Sequence, residues 1–154
     1  MAIIRPSRLE DIPGILGVIQ AAFAQYRGLL DPPSSAEHKT LAIVAQELET
    51  AEALVAEHDR QVVGCAFHRP RGDSVYLDRL AVAPEHRRQG LGHQLMMEVE
   101  RRALETGHRK VTLAVRLPLR DLQTYYRRQG YVAIGYGTHP GYPTHTYVNM
   151  EKQL

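Results

Sequence analysis

The residues whose types and spacing point most directly to chemistry lie in the segment 80–92, LAVAPEHRRQGLG. A helix that starts in this segment would present unpaired N–H groups and the positive end of its macrodipole at its first turn. Gly90 and Gly92 leave room for a ligand at that point. Arg87 and Arg88 add positive charge beside it. Together these features predict a binding site for a phosphate or diphosphate group.

Two common glycine-loop motifs do not fit this segment. A nucleotide-binding P-loop ends in Gly-Lys-Ser/Thr, which the segment lacks. A dinucleotide-binding fingerprint needs a further glycine or alanine at the position of Leu95. The segment therefore has to be interpreted together with residues outside the glycine turn.

A known family shares both this segment and a second one. Residues 87–92 resemble the Gln/Arg-x-x-Gly-x-Gly/Ala signature of the GNAT superfamily of N-acetyltransferases. Residues 80–84 are also similar to that family, and residues 122–131, LQTYYRRQGY, are similar to its tyrosine-x-x-x-glycine-aromatic element. The two elements occur at the usual separation, and the resemblance extends over nearly the whole chain. It implies acetyl-coenzyme A (acetyl-CoA) as cosubstrate and a primary amine as acceptor.

The resemblance also implies roles for individual positions. The diphosphate of the cosubstrate would be held by backbone N–H groups of six consecutive residues, Arg87, Arg88, Gln89, Gly90, Leu91 and Gly92. The pantetheine arm would pair with the backbone of the preceding strand, at Leu80, Ala81 and Val82. In the family, a bulge splays this strand from its parallel neighbour. The Val82 N–H would polarise the thioester carbonyl, and Tyr126 would contact the cosubstrate as the general acid for the departing thiolate.

The general base is less clearly marked. Some family members have a glutamate at the position of Tyr76, six residues before that of Val82. Asp78 should face the same side of the strand as Tyr76, because strand side chains alternate, and it is the first candidate. His139 and His145 are alternatives, since an imidazole titrates near neutrality. Their spacing does not resemble a helical metal-binding pair, so we expect no metal.

The resemblance implies an acceptor site walled by the end of the first helical region and by the final loop, residues 26–35 and 136–145 here. The candidate acceptor contacts in these segments are Tyr26, Tyr136, His139, Tyr142 and His145. The tyrosines among them could frame a cationic or aromatic acceptor through cation–π contacts. The family often has an asparagine at the position of Leu119, so we expect no side-chain amide against the cosubstrate arm there.

Hydrophobic periodicity and turn signals predict the elements that must position these residues. A strand at 2–5, a helix that fades near residue 26 and a second helix from Ser34 or Ser35 come first. The later predicted elements are strands at 51–58, 61–69 and 74–82, a helix at 91–106, a strand at 110–116, a helix at 119–129 and strands at 131–135 and 146–151. The helical crossover between 74–82 and 110–116 requires a parallel pair. The predicted fold is α/β, with a mixed, mostly antiparallel sheet of about seven strands and helices on both faces.

The composition is typical of one globular domain, which we expect to span residues 1–154. Of the 154 residues, 44% are hydrophobic and 23% are charged. The chain has no apolar run long enough for a membrane span and no signal peptide, so we expect a cytoplasmic protein with no membrane partner. Cys65 is the one cysteine, so an intramolecular disulfide is excluded. It lies in an apolar segment predicted to be a buried strand, so we expect its thiol to be an inert core group.

The leading functional interpretation is direct acetyl transfer from acetyl-CoA to a primary amine of a small molecule or peptide. The alternative is a non-catalytic acyl-CoA-binding sensor or interaction module on the same fold, because the base is not fixed. The net charge of +2 is small and helix arginines usually form a solvated face, so we expect no nucleic-acid partner. A homodimer through the last strands or a helix is common in similar proteins.

Overall fold

Residues 2–154, which a computed structural model of the chain describes, form seven strands and four α-helices. The strands of this part are β1 (Ile3–Pro6), β2 (Glu52–His58), β3 (Gln61–Arg71), β4 (Ser74–Val82), β5 (Lys110–Arg116), β6 (Val132–Gly137) and β7 (Tyr147–Gln153). The α-helices are α1 (Ile12–Phe23), α2 (Leu41–Glu47), α3 (Leu91–Glu105) and α4 (Arg120–Arg128). The order of strands and α-helices is the one predicted from the sequence.

The strands form one mixed sheet in the order β1-β2-β3-β4-β5-β7-β6. Neighbouring strands are antiparallel except β4 and β5, which are parallel because α3 carries the chain back across the sheet between them. Helices α1 and α2 cover one face, and α3 and α4 cover the other. The predicted fold class, with helices on both faces of a mostly antiparallel mixed sheet, is confirmed.

A bulge in β4 separates its second half from β5. Asp78 pairs with Phe67 and Ala81 pairs with Cys65, so β4 has one more residue than β3 between these pairs. Arg79, within the bulge, has a φ of 48°. A bulge bends its strand, and β4 accordingly pairs with β5 only as far as Tyr76 in the described part of the chain. Beyond that point a gap opens between the two strands.

The bulge also exchanges the faces to which β4 directs its side chains. Before it, Val75 and Leu77 pack into the core under α3 and α4. After it, Leu80 and Val82 pack against that core, and Ala81 packs into the core under α1. Without the extra residue, the strict alternation of a strand would have placed Leu80 and Val82 on the α1 face. The bulge therefore directs both side chains toward the start of α3.

The second helix begins later than predicted. Ser34 caps a short 3-10 turn at Ser35–His38 rather than an α-helix, and its hydroxyl accepts a hydrogen bond from the Ala36 N–H at 3.2 Å. Helix α2 starts after Thr40, whose hydroxyl accepts from the Ile43 N–H at 3.2 Å. Threonine is a favourable N-cap, so the chain offers two capping signals close together, and the later one starts the α-helix.

Candidate active site

The first turn of α3 opens into a trough of about 330 Å³. Gly90 precedes the helix in a left-handed conformation, with a φ of 77°, which glycine adopts without strain. Within residues 2–154, no side chain accepts a hydrogen bond from the first N–H groups of the helix. A Cβ added at Gly92 would lie 3.1 Å from the Tyr125 hydroxyl oxygen. Glycine therefore keeps this trough open next to unpaired amides, as an anionic ligand requires.

Basic side chains surround the trough. The Arg87 guanidinium donates to the carbonyl oxygen of Ala22 at 3.0 Å and so ties the turn before α3 to the end of α1. Gln89 belongs to the same turn, but it does not line the trough. The residues that line it are Leu80, Val82, His86, Arg87, Arg88, Gly90, Leu91, Gly92, His93, Leu122 and Tyr125.

The end of β4 directs a peptide N–H into the gap beside β5. The Ala83 N–H donates to the Val63 carbonyl oxygen of β3 at 2.8 Å. Peptide groups of successive strand residues point to opposite sides of the strand. The Val82 N–H therefore points away from β3 and into the gap. This is the position in which an N–H group can stabilise an oxyanion that forms there.

A larger cavity of about 560 Å³ lies on the other side of the gap. Its floor includes Ala114 and Arg116 of β5 and Tyr147 and Asn149 of β7. In β5 these residues alternate with Leu113 and Val115, which belong to the core. Its walls come from the end of α1, the segment around residues 30–35 and the final loop. The floor and wall residues used below are Tyr26, Arg71, Tyr76, Asp78, Arg79, Ala114, Arg116, Tyr126, His139, Tyr147 and Asn149.

Two consecutive tyrosines of α4 line the trough and the cavity. Tyr125 lines the trough and Tyr126 lines the cavity, with their ring centroids 5.6 Å apart. Burial raises the pKa of Tyr126, and the nearby Asp78 is among the ionisable groups that raise it further. The Tyr126 phenol is therefore protonated at neutral pH, which is the form that a general acid needs.

Two of the base candidates open on the cavity. The Asp78 carboxylate lines it beside the bulge and accepts a hydrogen bond from the Arg79 N–H at 2.9 Å. His139 lines it from the final loop, and its Nδ1 pairs with the Thr146 hydroxyl. Burial and the neighbouring Arg116 charge lower the pKa of His139, so its imidazole is neutral at pH 7.

The structure brings some of the predicted acceptor residues together and not others. Tyr26 lines the cavity and the passage toward the trough. Tyr142 does not line the cavity, but its hydroxyl donates to the Asp31 carboxylate and joins the final loop to the opposite wall. Tyr136 and His145 do not line the cavity. They stack on each other with ring centroids 5.5 Å apart, and Tyr136 is 58% exposed because β6 is an edge strand.

Sequence reasoning missed the arginines of the cavity, Arg71, Arg79 and Arg116. The Arg116 Nη2 donates to the Pro32 carbonyl oxygen at 2.5 Å, and its Nε is buried without a hydrogen-bond partner among residues 2–154. Burial lowers the pKa of Arg116. The sequence of β5 does indicate the position of Arg116. This residue alternates with the apolar core residues of the strand, so its side chain lies on the opposite face of the sheet. The same alternation puts Ala114 in the floor, where its small side chain leaves space.

Comparison with known proteins gives a direct match for this architecture. The model of the acetyltransferase (GNAT) family matches residues 19–131. The chain belongs to the GNAT family. It is therefore an acetyl-CoA-dependent acetyltransferase, which confirms the predicted family and enzyme class.

Among the helices of residues 2–154, none combines the length and hydropathy needed to cross a membrane.

The individual proteins that this chain resembles are between 19% and 30% identical to it in sequence. The chain is 27% identical over 140 residues to an S-alkylcysteine N-acetyltransferase of Bacillus subtilis, across 84% of this chain and 78% of that protein. It is 30% identical over 107 residues to an amino-acid acetyltransferase of Pseudomonas putida, but that match spans 68% of this chain and 22% of that protein. The fold superposes on a PaiA N-acetyltransferase from Thermoplasma acidophilum in complex with coenzyme A with a TM-score of 0.86, at 19% identity and over 100% and 99% of the two chains.

Proposed function

We propose that this protein transfers an acetyl group from acetyl-CoA to a primary amine by direct attack. The observation that carries the proposal is the connection between trough and cavity, since Leu80 and Leu122 line both. A cosubstrate bound at the start of α3 can thus present its thioester to an amine in the cavity. The name of the Bacillus relative specifies N-acetylation, which supports an amine acceptor.

A covalent cysteine intermediate is not part of this proposal. Cys65 is fully buried in the core under α1. Burial raises the pKa of its thiol to about 12. The thiolate is the nucleophilic form of cysteine, so Cys65 is an inert core residue and the amine attacks the thioester itself.

Acetyl-CoA supplies the activated acetyl group and a thiol leaving group. The N–H groups at the start of α3 bind its diphosphate. The Val82 N–H donates to the thioester carbonyl oxygen and stabilises the negative charge that develops there. The amine nitrogen bonds to the acetyl carbon as the carbon–sulfur bond breaks. Tyr126 gives its hydroxyl proton to the departing sulfur. The nitrogen loses two protons in all: the base takes one before the attack and releases it to solvent, and the second, lost after the attack, restores the Tyr126 hydroxyl.

Asp78 is the proposed general base. An amine arrives protonated at neutral pH and must lose a proton before it attacks. Asp78 and Tyr126 both line the cavity, and the Asp78 charge is among the causes that raise the pKa of Tyr126. His139 lies in the final loop, where burial and the Arg116 charge lower its pKa. Asp78 and Tyr126 are therefore the pair that can act on the two reacting atoms at the gap.

Replacing Asp78 by asparagine is expected to lower kcat/KM for the amine by about 10²- to 10⁴-fold, the usual contribution of a general base. The affinity for acetyl-CoA should not change, because Asp78 lines the cavity and not the trough. Thiol release measured against pH for Asp78→Asn and His139→Gln separates the two candidates. A larger loss in His139→Gln than in Asp78→Asn would assign the base to His139.

Addition of acetyl-CoA is expected to stabilise the protein, because a ligand that binds only the folded state raises its stability. At a concentration 100 times the Kd, the melting temperature should rise by about 5–10 °C for a domain of this size. Thiol release from acetyl-CoA with a panel of primary amines then tests the transfer. A melting curve that millimolar acetyl-CoA leaves unchanged would contradict the proposal, as would saturable binding without turnover on any amine.

A further inference from the structure

The charge of the cavity restricts the kind of amine that it can accept. Among the residues that the structure describes, its lining contains three guanidinium groups and one carboxylate, from Arg71, Arg79, Arg116 and Asp78. None of these three arginines, which we term the cavity arginines, forms an ion pair within residues 2–154. The arginines of α3, by contrast, pair with glutamates of the same helix. The cavity arginines thus carry positive charge that no ion pair of the described residues neutralises, although the more distant Asp31 carboxylate also acts to raise the pKa of Arg116.

Arg116 is the cavity arginine best placed to bind a ligand. It lies at the end of β5 on the floor, and its contact with the Pro32 carbonyl oxygen fixes one Nη atom. Its Nε is buried and has no hydrogen-bond partner in the described residues. Burying a charged group without an ion-pair partner is unfavourable. A bound carboxylate that reaches the guanidinium would provide the ion-pair partner that Arg116 lacks among the described residues.

The other two cavity arginines add to the positive field. The Arg71 guanidinium lies over the Tyr76 ring, 4.0 Å from its centroid, and is held at the rim by this cation–π contact. Arg79 has a buried Nε that also lacks a hydrogen-bond partner in the chain as described. A ligand that carries only positive charge would be repelled by this group of residues. Of the two kinds of acceptor expected from the sequence, cationic or aromatic, this positive charge disfavours the purely cationic kind.

We infer that the acceptor carries a carboxylate as well as its amine, and that Arg116 binds this carboxylate. The inference rests on the proposed amine acetylation and specifies its substrate class: amino acids rather than simple amines or polyamines. A guanidinium matches a carboxylate with two parallel hydrogen bonds. The carboxylate stays unchanged in the reaction and holds the molecule so that its nitrogen faces the gap.

Matched acceptors test the inference in the unmodified protein. The probes are the standard L-amino acids, each beside its carboxamide and its decarboxylated amine, with thiol release from acetyl-CoA as the readout. We expect the best amino acid to exceed its carboxamide by about 10- to 100-fold in kcat/KM, as for a hydrogen bond to a charged group. Carboxamides and decarboxylated amines that react as fast as the amino acids would overturn the inference and leave the proposed acetylation intact.

Two variants assign the preference to Arg116. Arg116→Gln is expected to remove the preference for the acid over the carboxamide, mainly by slowing the acid. Arg120→Gln makes the same change in charge at an exposed position of α4 outside the cavity, and it should retain the preference. If Arg116→Gln does not fold, Arg116→Lys keeps the charge without the bidentate geometry and should show a reduced preference. A preference that is unaltered in the folded Arg116 variant would show that Arg116 does not bind the carboxylate.

A binding measurement covers the case in which no acceptor is turned over. The melting temperature of the protein with coenzyme A is measured with N-acetyl-L-amino acids and with the corresponding N-acetyl amides. Stabilisation by the acids but not by the amides supports the inference whether or not turnover is found. Equal stabilisation by both, or by neither, would contradict it. Absence of turnover together with selective acid binding would count against the proposed function alone.

Discussion

Replacing Tyr126 by phenylalanine is expected to lower kcat by about 10²- to 10⁴-fold, the range that a positioned proton donor contributes. The substitution removes one hydroxyl and keeps the ring, which packs against Tyr125 and Tyr131 in the core. The fold and the affinity for acetyl-CoA should therefore change little. Thiol release gives kcat, and titration of the variant with acetyl-CoA gives the Kd.

The pH dependence distinguishes a proton donor from a packing residue. Burial raises the pKa of Tyr126 above the ordinary value near 10, so the phenol remains protonated up to about pH 10. We expect kcat of the unmodified protein to show no alkaline decline below that pH from this group. Tyr125→Phe is the matched comparison, since it removes a hydroxyl from the adjacent residue. Equal losses in the two variants would exclude a specific role for Tyr126.

The fold could be predicted from the sequence because its signals are local. Alternating apolar residues, short turns and one helical crossover determined which neighbours are parallel, and the observed sheet follows that reasoning. The start of α2 could not be predicted in the same way. Ser34 and Thr40 are both good caps, and the choice between them depends on how the intervening segment packs.

The part of the site that would hold the cosubstrate could also be predicted from the sequence. A glycine turn before a helix, with basic neighbours, is a local pattern, and Gly90 and Gly92 occupy the positions that the pattern requires. The exchange of faces at Arg79 could not be foreseen from periodicity alone. It results from one extra residue in β4; the family resemblance implied a bulge in this strand, and the pairing with β3 shows where it lies.

The acceptor side was less predictable because residues distant in sequence form it. Tyr136 and His145 were both expected in the final loop, but Tyr136 lies in the edge strand β6, and both side chains are exposed to solvent. Arg116 and Arg71 lie on different strands, and their common cavity depends on the gap between β4 and β5. Residues 73–154 contain 12 lysines and arginines against 8 aspartates and glutamates, a net charge of +4. That count cannot show which of these arginines lie in a cavity without an ion pair among the described residues.

Replacing Gly92 by aspartate is expected to weaken acetyl-CoA binding by at least about 100-fold while the protein remains folded. Gly92 is the second residue of α3, where a carboxylate stabilises a helix by about 0.3–1 kcal/mol through its dipole. The added Cβ would lie 3.1 Å from the Tyr125 hydroxyl oxygen, which can shift because it is the end of a side chain. The new carboxylate would occupy the trough and repel the diphosphate.

Gly92→Asp should stabilise the helix but weaken acetyl-CoA binding, so a general loss of stability cannot explain the expected result. The melting temperature without ligand should stay the same or rise, whereas the stabilisation by acetyl-CoA should be lost. Gln94→Asp is the matched control, since it adds the same charge in the first turn of α3 at an exposed residue that does not line the trough. If Gly92→Asp still binds acetyl-CoA as tightly as Gln94→Asp does, the diphosphate is not held at the start of α3. A ligand held by those amides cannot share their space with a fixed negative charge, so the loss of binding should occur in Gly92→Asp alone.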